Sequence, residues 1–177
     1  MLTIIMAVAK VQDRLLFGDT SGKLPWGHIK EDMAHFVEMT EPDIRRLFIC
    51  SKSTYVTLPE KARQRLKPLL VTEDYNSLMV MLTEAAAPFD IDIDMHEIVI
   101  LGGRKLIDSC IPHADHIFIS EIGNVEHKDS FVYLRQETAE KLANFEKTST
   151  CFYFDINSGE VVKGVPYLRQ AYVLSKD

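Results

Sequence analysis

Three stretches of the chain hold residue types whose spacing could support chemistry. The first is Leu24-Pro25-Trp26-Gly27-His28-Ile29-Lys30-Glu31-Asp32-Met33-Ala34-His35-Phe36, where a single carboxylate, Asp32, falls among apolar residues. On a helix turning ~100° per residue, Ile29, Met33, Phe36 and Val37 share one face, Glu31, His35 and Glu38 cluster opposite, and Asp32 lies on the edge of the apolar face. An ionised carboxylate in that position loses hydration. Either a buried donor compensates it, as for a structural Asp, or its pKa rises from ~3.9 and it becomes an acid able to lend a proton near neutral pH.

The second stretch is Glu97-Ile98-Val99-Ile100-Leu101-Gly102-Gly103-Arg104-Lys105-Leu106-Ile107, a buried strand running into paired glycines and then a helix. Glycine allows backbone angles and contact distances that a Cβ forbids, and the helix start beyond it presents N–H groups to a pyrophosphate. The spacing is not that of a full dinucleotide fingerprint, and many αβ chains turn on Gly-Gly. The third is Lys52-Ser53-Thr54-Tyr55, whose hydroxyls suit a helix start. It reads either as an anion site with Lys52 as a point charge or as a plain Ser/Thr cap.

Positioning these groups requires a definite set of elements. Leu2 to Ala9 is apolar almost throughout, as a central strand covered on both sides would be. Lys10 to Gly22, with Gly18 and Gly22 around Leu16-Phe17, reads as a long mobile flap ending in Leu24-Pro25-Trp26. Pro25 biases Leu24 away from helix, so a turn precedes a helix running from about Ile29 to Thr40. Arg46 to Ser51 is a second strand. Lys61, Arg63, Arg65 and Lys67 then crowd a loop or short helix before the strand Leu69 to Thr72. Asn76 to Ala87 is a helix stopped by Pro88, Asp90 to Asp94 an acidic loop, and Pro112 closes the helix that follows the glycines. Ala114 to Ile122 is a strand. Phe145 to Asp155 and Val165 to Ser175, joined through Asn157-Ser158-Gly159, form an antiparallel hairpin at the sheet edge. The expected class is α/β with a mixed sheet in a single domain over residues 1–177.

Composition narrows the function. The chain has 177 residues, a formal net charge of −6 and no basic block, which leaves no electrostatic footprint for nucleic acid or an anionic membrane. A domain of this size buries roughly 70% of its unfolded surface, enough for a core and a pocket. Cys50, Cys110 and Cys151 are odd in number and set in apolar runs, so free thiols in a reducing compartment are expected. No metal spacing is visible, and His113-Ala114-Asp115-His116 reads as solvated loop. The amino terminus has no basic leader or cleavage site and is too short to span a bilayer. A small molecule is the expected partner.

The ordered set of Ile5 and Ala7 in the first strand, Gly22-Lys23-Leu24-Pro25-Trp26, Asp32 with Phe36 and Thr40, Ile100-Leu101-Gly102-Gly103, and Pro112-x-Ala114-Asp115 leading to Ser120-Glu121-Ile122 resembles dihydrofolate reductase over nearly the whole chain. The resemblance implies a three-layer fold with a central, mixed, mainly parallel sheet, an antiparallel C-terminal edge strand and about four flanking helices. It implies a monomeric, cytoplasmic enzyme that reduces 7,8-dihydrofolate with NADPH, with no metal, nucleic-acid or membrane partner.

Residue by residue, the resemblance makes Asp32 the group that holds the pterin 2-amino group and N3 and promotes protonation of N5 through water, with Ser120 supporting it. Ile5 and Leu101 would present carbonyls to the pterin edge, and Met33, Phe36 and Leu58 would line the slot for the rings. Ala7 would meet both ligands. Arg65, or Arg63 two residues earlier, would grip the substrate's glutamate. Phe17, Gly18 and Leu24 would contact the nicotinamide end of the cofactor. Gly102-Gly103, in a cis peptide, would give the close backbone approach, while Lys52, Ser53, Thr54, Thr72 and Arg104-Lys105-Leu106 would hold its phosphates. Ser51 stands where the family has glycine. The alternatives are a riboflavin-pathway reductase of the same fold, which Asp32 argues against, and a nonenzymatic folate- or nucleotide-binding structural protein.

Overall fold

A computed structural model describes residues 1–89, 92–153 and 164–176. In chain order the elements are β1 (Leu2–Val11), β2 (Arg14–Asp19), α1 (Lys30–Met39), β3 (Arg46–Cys50), α2 (Lys52–Thr57), α3 (Glu60–Arg65), β4 (Leu69–Val71) and α4 (Tyr75–Ala86). They continue with β5 (Glu97–Ile100), α5 (Arg104–Cys110), β6 (His116–Gly123), β7 (Phe131–Tyr133), α6 (Gln136–Leu142), β8 (Glu146–Tyr153) and β9 (Tyr167–Ser175). The chain divides into two compact units, one of Met1–Ile5 with Pro42–His116 and one of Met6–Glu41 with Ile117–Asp177. β1 contributes to both.

In the first unit the strand order is β4-β3-β5-β1, and every neighbouring pair is parallel. Such strands need helical crossovers and are covered on both faces, which explains their near-continuous apolar runs. Ile4, Ile49, Val99, Ile100, Leu106 and Ile107 have no exposed surface. The start of β1 is tied down by polar groups. Asp115 accepts the Leu2 N–H at 2.8 Å, and Glu97 accepts from Thr3 Oγ1 at 2.9 Å and from Arg46 Nε at 3.0 Å. α4 begins where Asp74 caps the Ser77 N–H at 2.8 Å and buries Leu78, Leu82 and Ala86 at helical spacing. Cys50 and Cys110 are buried free thiols, and burial pushes both up to about 11.

In the second unit the end of β1 pairs antiparallel with β2, which pairs antiparallel with β7. β9 lies between β6 and β8, and β8 pairs antiparallel with β9, so the expected C-terminal hairpin is present with β8 outermost. Ala9, Val11, Leu16, Trp26, Ile29, Ile122, Phe131, Tyr133 and Leu168 form one core cluster. Asn157-Ser158-Gly159 lies outside the described residues, as do Asp90 and Ile91 of the acidic loop and the side chain of Cys151.

Three expectations are corrected. Lys10 to Gly22 is not a long loop: Gln12 and Asp13 sit at φ 51° and 59°, the positive angles of a two-residue hairpin turn, and send the chain back as β2. Leu16 is fully buried, so the apolar pair anchors a strand. Val37 is 47% exposed, because the inward side of α1 and its two caps runs through buried Ile29, Asp32 and Thr40 and half-buried Phe36 and passes it by. The α-helices number six among the described residues, since the basic run folds as α3 and α6 adds another.

Candidate active site

The second unit holds the acid. Ile29 ends the preceding turn in extended conformation, and α1 starts without a side-chain cap. Asp32 therefore falls in the first turn, where the helix dipole favours a negative charge. It is 7% exposed and is the buried residue of its helix, while Met33 and Phe36 flank it half-buried. Desolvation raises its pKa from 3.8 to about 6, and a hydrogen bond from the Ser120 side chain opposes that rise. Ser120, 2% exposed, reaches it from β6. One hydroxyl does not replace the hydration of a carboxylate, so the neutral acid and its anion are both accessible near physiological pH.

Other expected residues of this unit vary in exposure. Ala7, Phe17 and Gly18 are half-buried on the β1–β2 hairpin, and Leu24 is 47% exposed. Trp26 is 7% exposed, and its indole Nε1 is buried with no hydrogen-bond partner among the described residues. A buried donor of this kind calls for a partner from solvent or ligand. His35, placed on the polar face by the sequence, is half-buried, and burial holds its imidazole below its ordinary value against the nearby Glu38.

The first unit holds a set of hydroxyls around paired glycines. β3 ends at Cys50, and Ser51 caps α2. The Ser51 N–H donates to Gly102 O at 2.7 Å, and Ser51 Oγ accepts the Gly103 N–H at 2.8 Å and the Thr54 N–H at 3.3 Å. Ser53 Oγ lies 3.0 Å and Thr54 Oγ1 3.2 Å from the same oxygen. Gly102-Gly103 is a cis peptide, as the resemblance implies, and Gly102 has φ 129°. A Cβ on Gly103 would stand 3.1 Å from Ser51 Oγ and 3.4 Å from the hydroxyls of Ser53 and Thr54. The Gly103 amide is thus committed to Ser51.

Around this centre Lys52, Ser53, Arg104 and Lys105 are exposed and Leu106 is fully buried. Hydroxyls flanked by cationic side chains suit the oxygens of a phosphate. Thr72, 8% exposed, donates its N–H to Cys50 O at 3.0 Å. Leu58, Arg65 and Leu101 are half-buried and Ile5 is buried. The Arg63 guanidinium lies 5.0 Å from the centre of the Tyr55 ring, and its buried Nε has no hydrogen-bond partner among the described residues. His113 stacks on Tyr75 at 3.7 Å. No group of three His, Cys, Asp or Glu able to hold a metal occurs among the described residues. No helix there is long and apolar enough to cross a membrane.

Sequence reasoning missed Ser51 as the centre of the glycine turn, although a serine directly before a helix start is a cap signal. It also missed the open indole donor of Trp26, which no periodicity marks.

The family model described as "Dihydrofolate reductase" matches residues 1–151. A dihydrofolate reductase type A10 from Escherichia coli is 27% identical over 143 residues, covering 71% of this chain and 69% of that relative. With a mixed α/β architecture, a buried carboxylate on α1 and paired glycines after β5 already in place, the chain belongs to the dihydrofolate reductase family, a family of oxidoreductases.

Proposed function

We propose that the chain reduces 7,8-dihydrofolate to 5,6,7,8-tetrahydrofolate with NADPH, as a monomeric cytoplasmic enzyme. The observation that carries this reading is the Asp32 carboxyl, 7% exposed, raised to about 6 and held by Ser120. When bound, NADPH would supply the hydride that C6 of the pterin accepts. Asp32 binds the 2-amino group and N3 and promotes delivery of a proton to N5 through water, so that positive charge at the imine makes C6 a better acceptor. Hydride and proton together saturate the C6–N5 bond.

Met33 and Phe36 exclude water from the acid and stack on the pterin, Ser120 keeps the carboxyl oriented, and Ala7, Phe17, Gly18 and Leu24 meet the nicotinamide. Ile5, Leu58 and Leu101 contact the substrate and Arg65 its glutamate. Lys52, Ser53, Thr54, Thr72, Gly102, Gly103, Arg104, Lys105 and Leu106 hold the cofactor. The donor set fits the group: three hydroxyls surround Gly103 and three exposed cations flank them.

The test is NADPH oxidation by the purified chain, followed by absorbance. Oxidation dependent on dihydrofolate is expected. Absence of oxidation, or oxidation with a phosphoribosyl pyrimidine in its place, would overturn the assignment.

A further inference from the structure

We infer that Glu73 is a specificity-determining residue for the dinucleotide, accepting a hydrogen bond from a free ribose 2′-hydroxyl and opposing a 2′-phosphate. The inference rests on the cofactor reading above and sharpens it: NADPH is used against an internal penalty, and NADH is bound nearly as well.

β3, α2, α3 and β4 form a parallel βαβ unit with Cys50 opposite Val71, and the pairing runs on where the Thr72 N–H donates to Cys50 O at 3.0 Å. In open parallel sheets, ligands lie outside the carboxyl ends of the strands. Glu73 stands at that end of β4 and is exposed. Its Oε1 accepts the N–H of Lys52, the first residue of α2, at 3.0 Å across a sequence separation of 21. An acid about 20 residues beyond the first strand-to-helix turn is the arrangement by which dinucleotide folds bind the ribose 2′-hydroxyl, whereas an arginine accommodates a 2′-phosphate.

The charges nearby agree. Asp74 is engaged in capping Ser77, whose hydrogen bonds, with Lys105 a lesser contributor, hold its carboxyl below the usual value. Glu73 has a neutral amide as its hydrogen-bond partner, and its charge reaches inward far enough to help raise the Cys50 thiol. A phosphate dianion set beside Glu73 meets a like charge, while a hydroxyl meets an acceptor.

Glu73→Gln keeps an oxygen for the Lys52 N–H and removes the charge. Calorimetric titration of the full chain with NADPH and with NADH, at one ionic strength, reads the effect. The wild type should bind the two within about tenfold of one another, and Glu73→Gln should tighten NADPH by about tenfold while NADH changes less than about twofold. Glu73→Lys should move the ratio further in the same direction. Equal shifts for both cofactors, or an unmoved ratio, would overturn this role for Glu73 while leaving nicotinamide use standing. If neither cofactor binds the wild type, this inference and the function proposed above both fall.

Discussion

Each of the two units builds a polar arrangement on one buried serine, and the two serines serve opposite ends. Ser51 closes a circle: its oxygen takes the Gly103 and Thr54 amides, its own amide goes to Gly102, and the surrounding donors are satisfied inside the protein. Ser120 gives a single hydrogen bond to an acid that burial has stripped of water. A fully paired polar group stiffens backbone, whereas an underpaired one holds a titration poised near neutrality. The contrast separates architecture from reactivity among residues of the same type.

The strongest way to break the contrast is Asp32→Asn, which should lower turnover at pH 7 by about 10²–10⁴-fold with the fold intact by circular dichroism. The same variant should be the more stable protein at neutral pH. Because the folded-state value of Asp32 lies above its unfolded one, its destabilising effect is absent below about 3.8, grows between there and about 6, and is complete above. Removing it should raise the urea-unfolding free energy at pH 7 by up to about 3 kcal/mol and change little at pH 3. Wild-type turnover unchanged by this substitution would remove Asp32 from the chemistry. Next in size is the pH dependence itself: the hydride step, measured in single turnover, should fall about tenfold per unit above pH 6, or about a hundredfold by pH 8.

Ser51→Ala tests the other side. It leaves the Gly103 and Thr54 amides without their acceptor and should cost about 1–3 kcal/mol in chemical unfolding. Cofactor affinity should weaken while the pH midpoint of the hydride step stays at about 6. The smallest effect is expected from Ser120→Ala. Loss of a hydrogen bond to the charged form lifts Asp32 further, so the midpoint of the rate profile should move to higher pH. A downward move would mean that Ser120 serves the neutral acid instead.

Much of this was legible in the sequence because burial leaves a period. The parallel strands of the first unit read as unbroken apolar runs, and α1 and α4 were placed to within a residue or two by proline, caps and spacing. Asp32 stood out as a charge where the pattern wanted none. The β1–β2 hairpin was hidden because its turn is Gln12-Asp13, without the glycine that ordinarily marks positive φ. β7 is only three residues long, and α6 begins at Gln136 with no cap side chain, so neither announces itself. Val37 departs from the helical wheel because a face about 100° wide has two edges and a wheel does not say which one packs. The Ser51 arrangement joins residues 52 apart in sequence, and no local pattern reports such a contact.

One side chain gives this molecule an optical handle. The chain contains a single tryptophan, and it is the one whose indole N–H, just before the start of α1, is buried with no hydrogen-bond partner among the described residues. Emission excited at the red edge of protein absorbance therefore arises from one place, in the same unit as the acid. Its wavelength reports how polar that spot is, so any change in the surroundings of the indole would shift the emission without a label being attached.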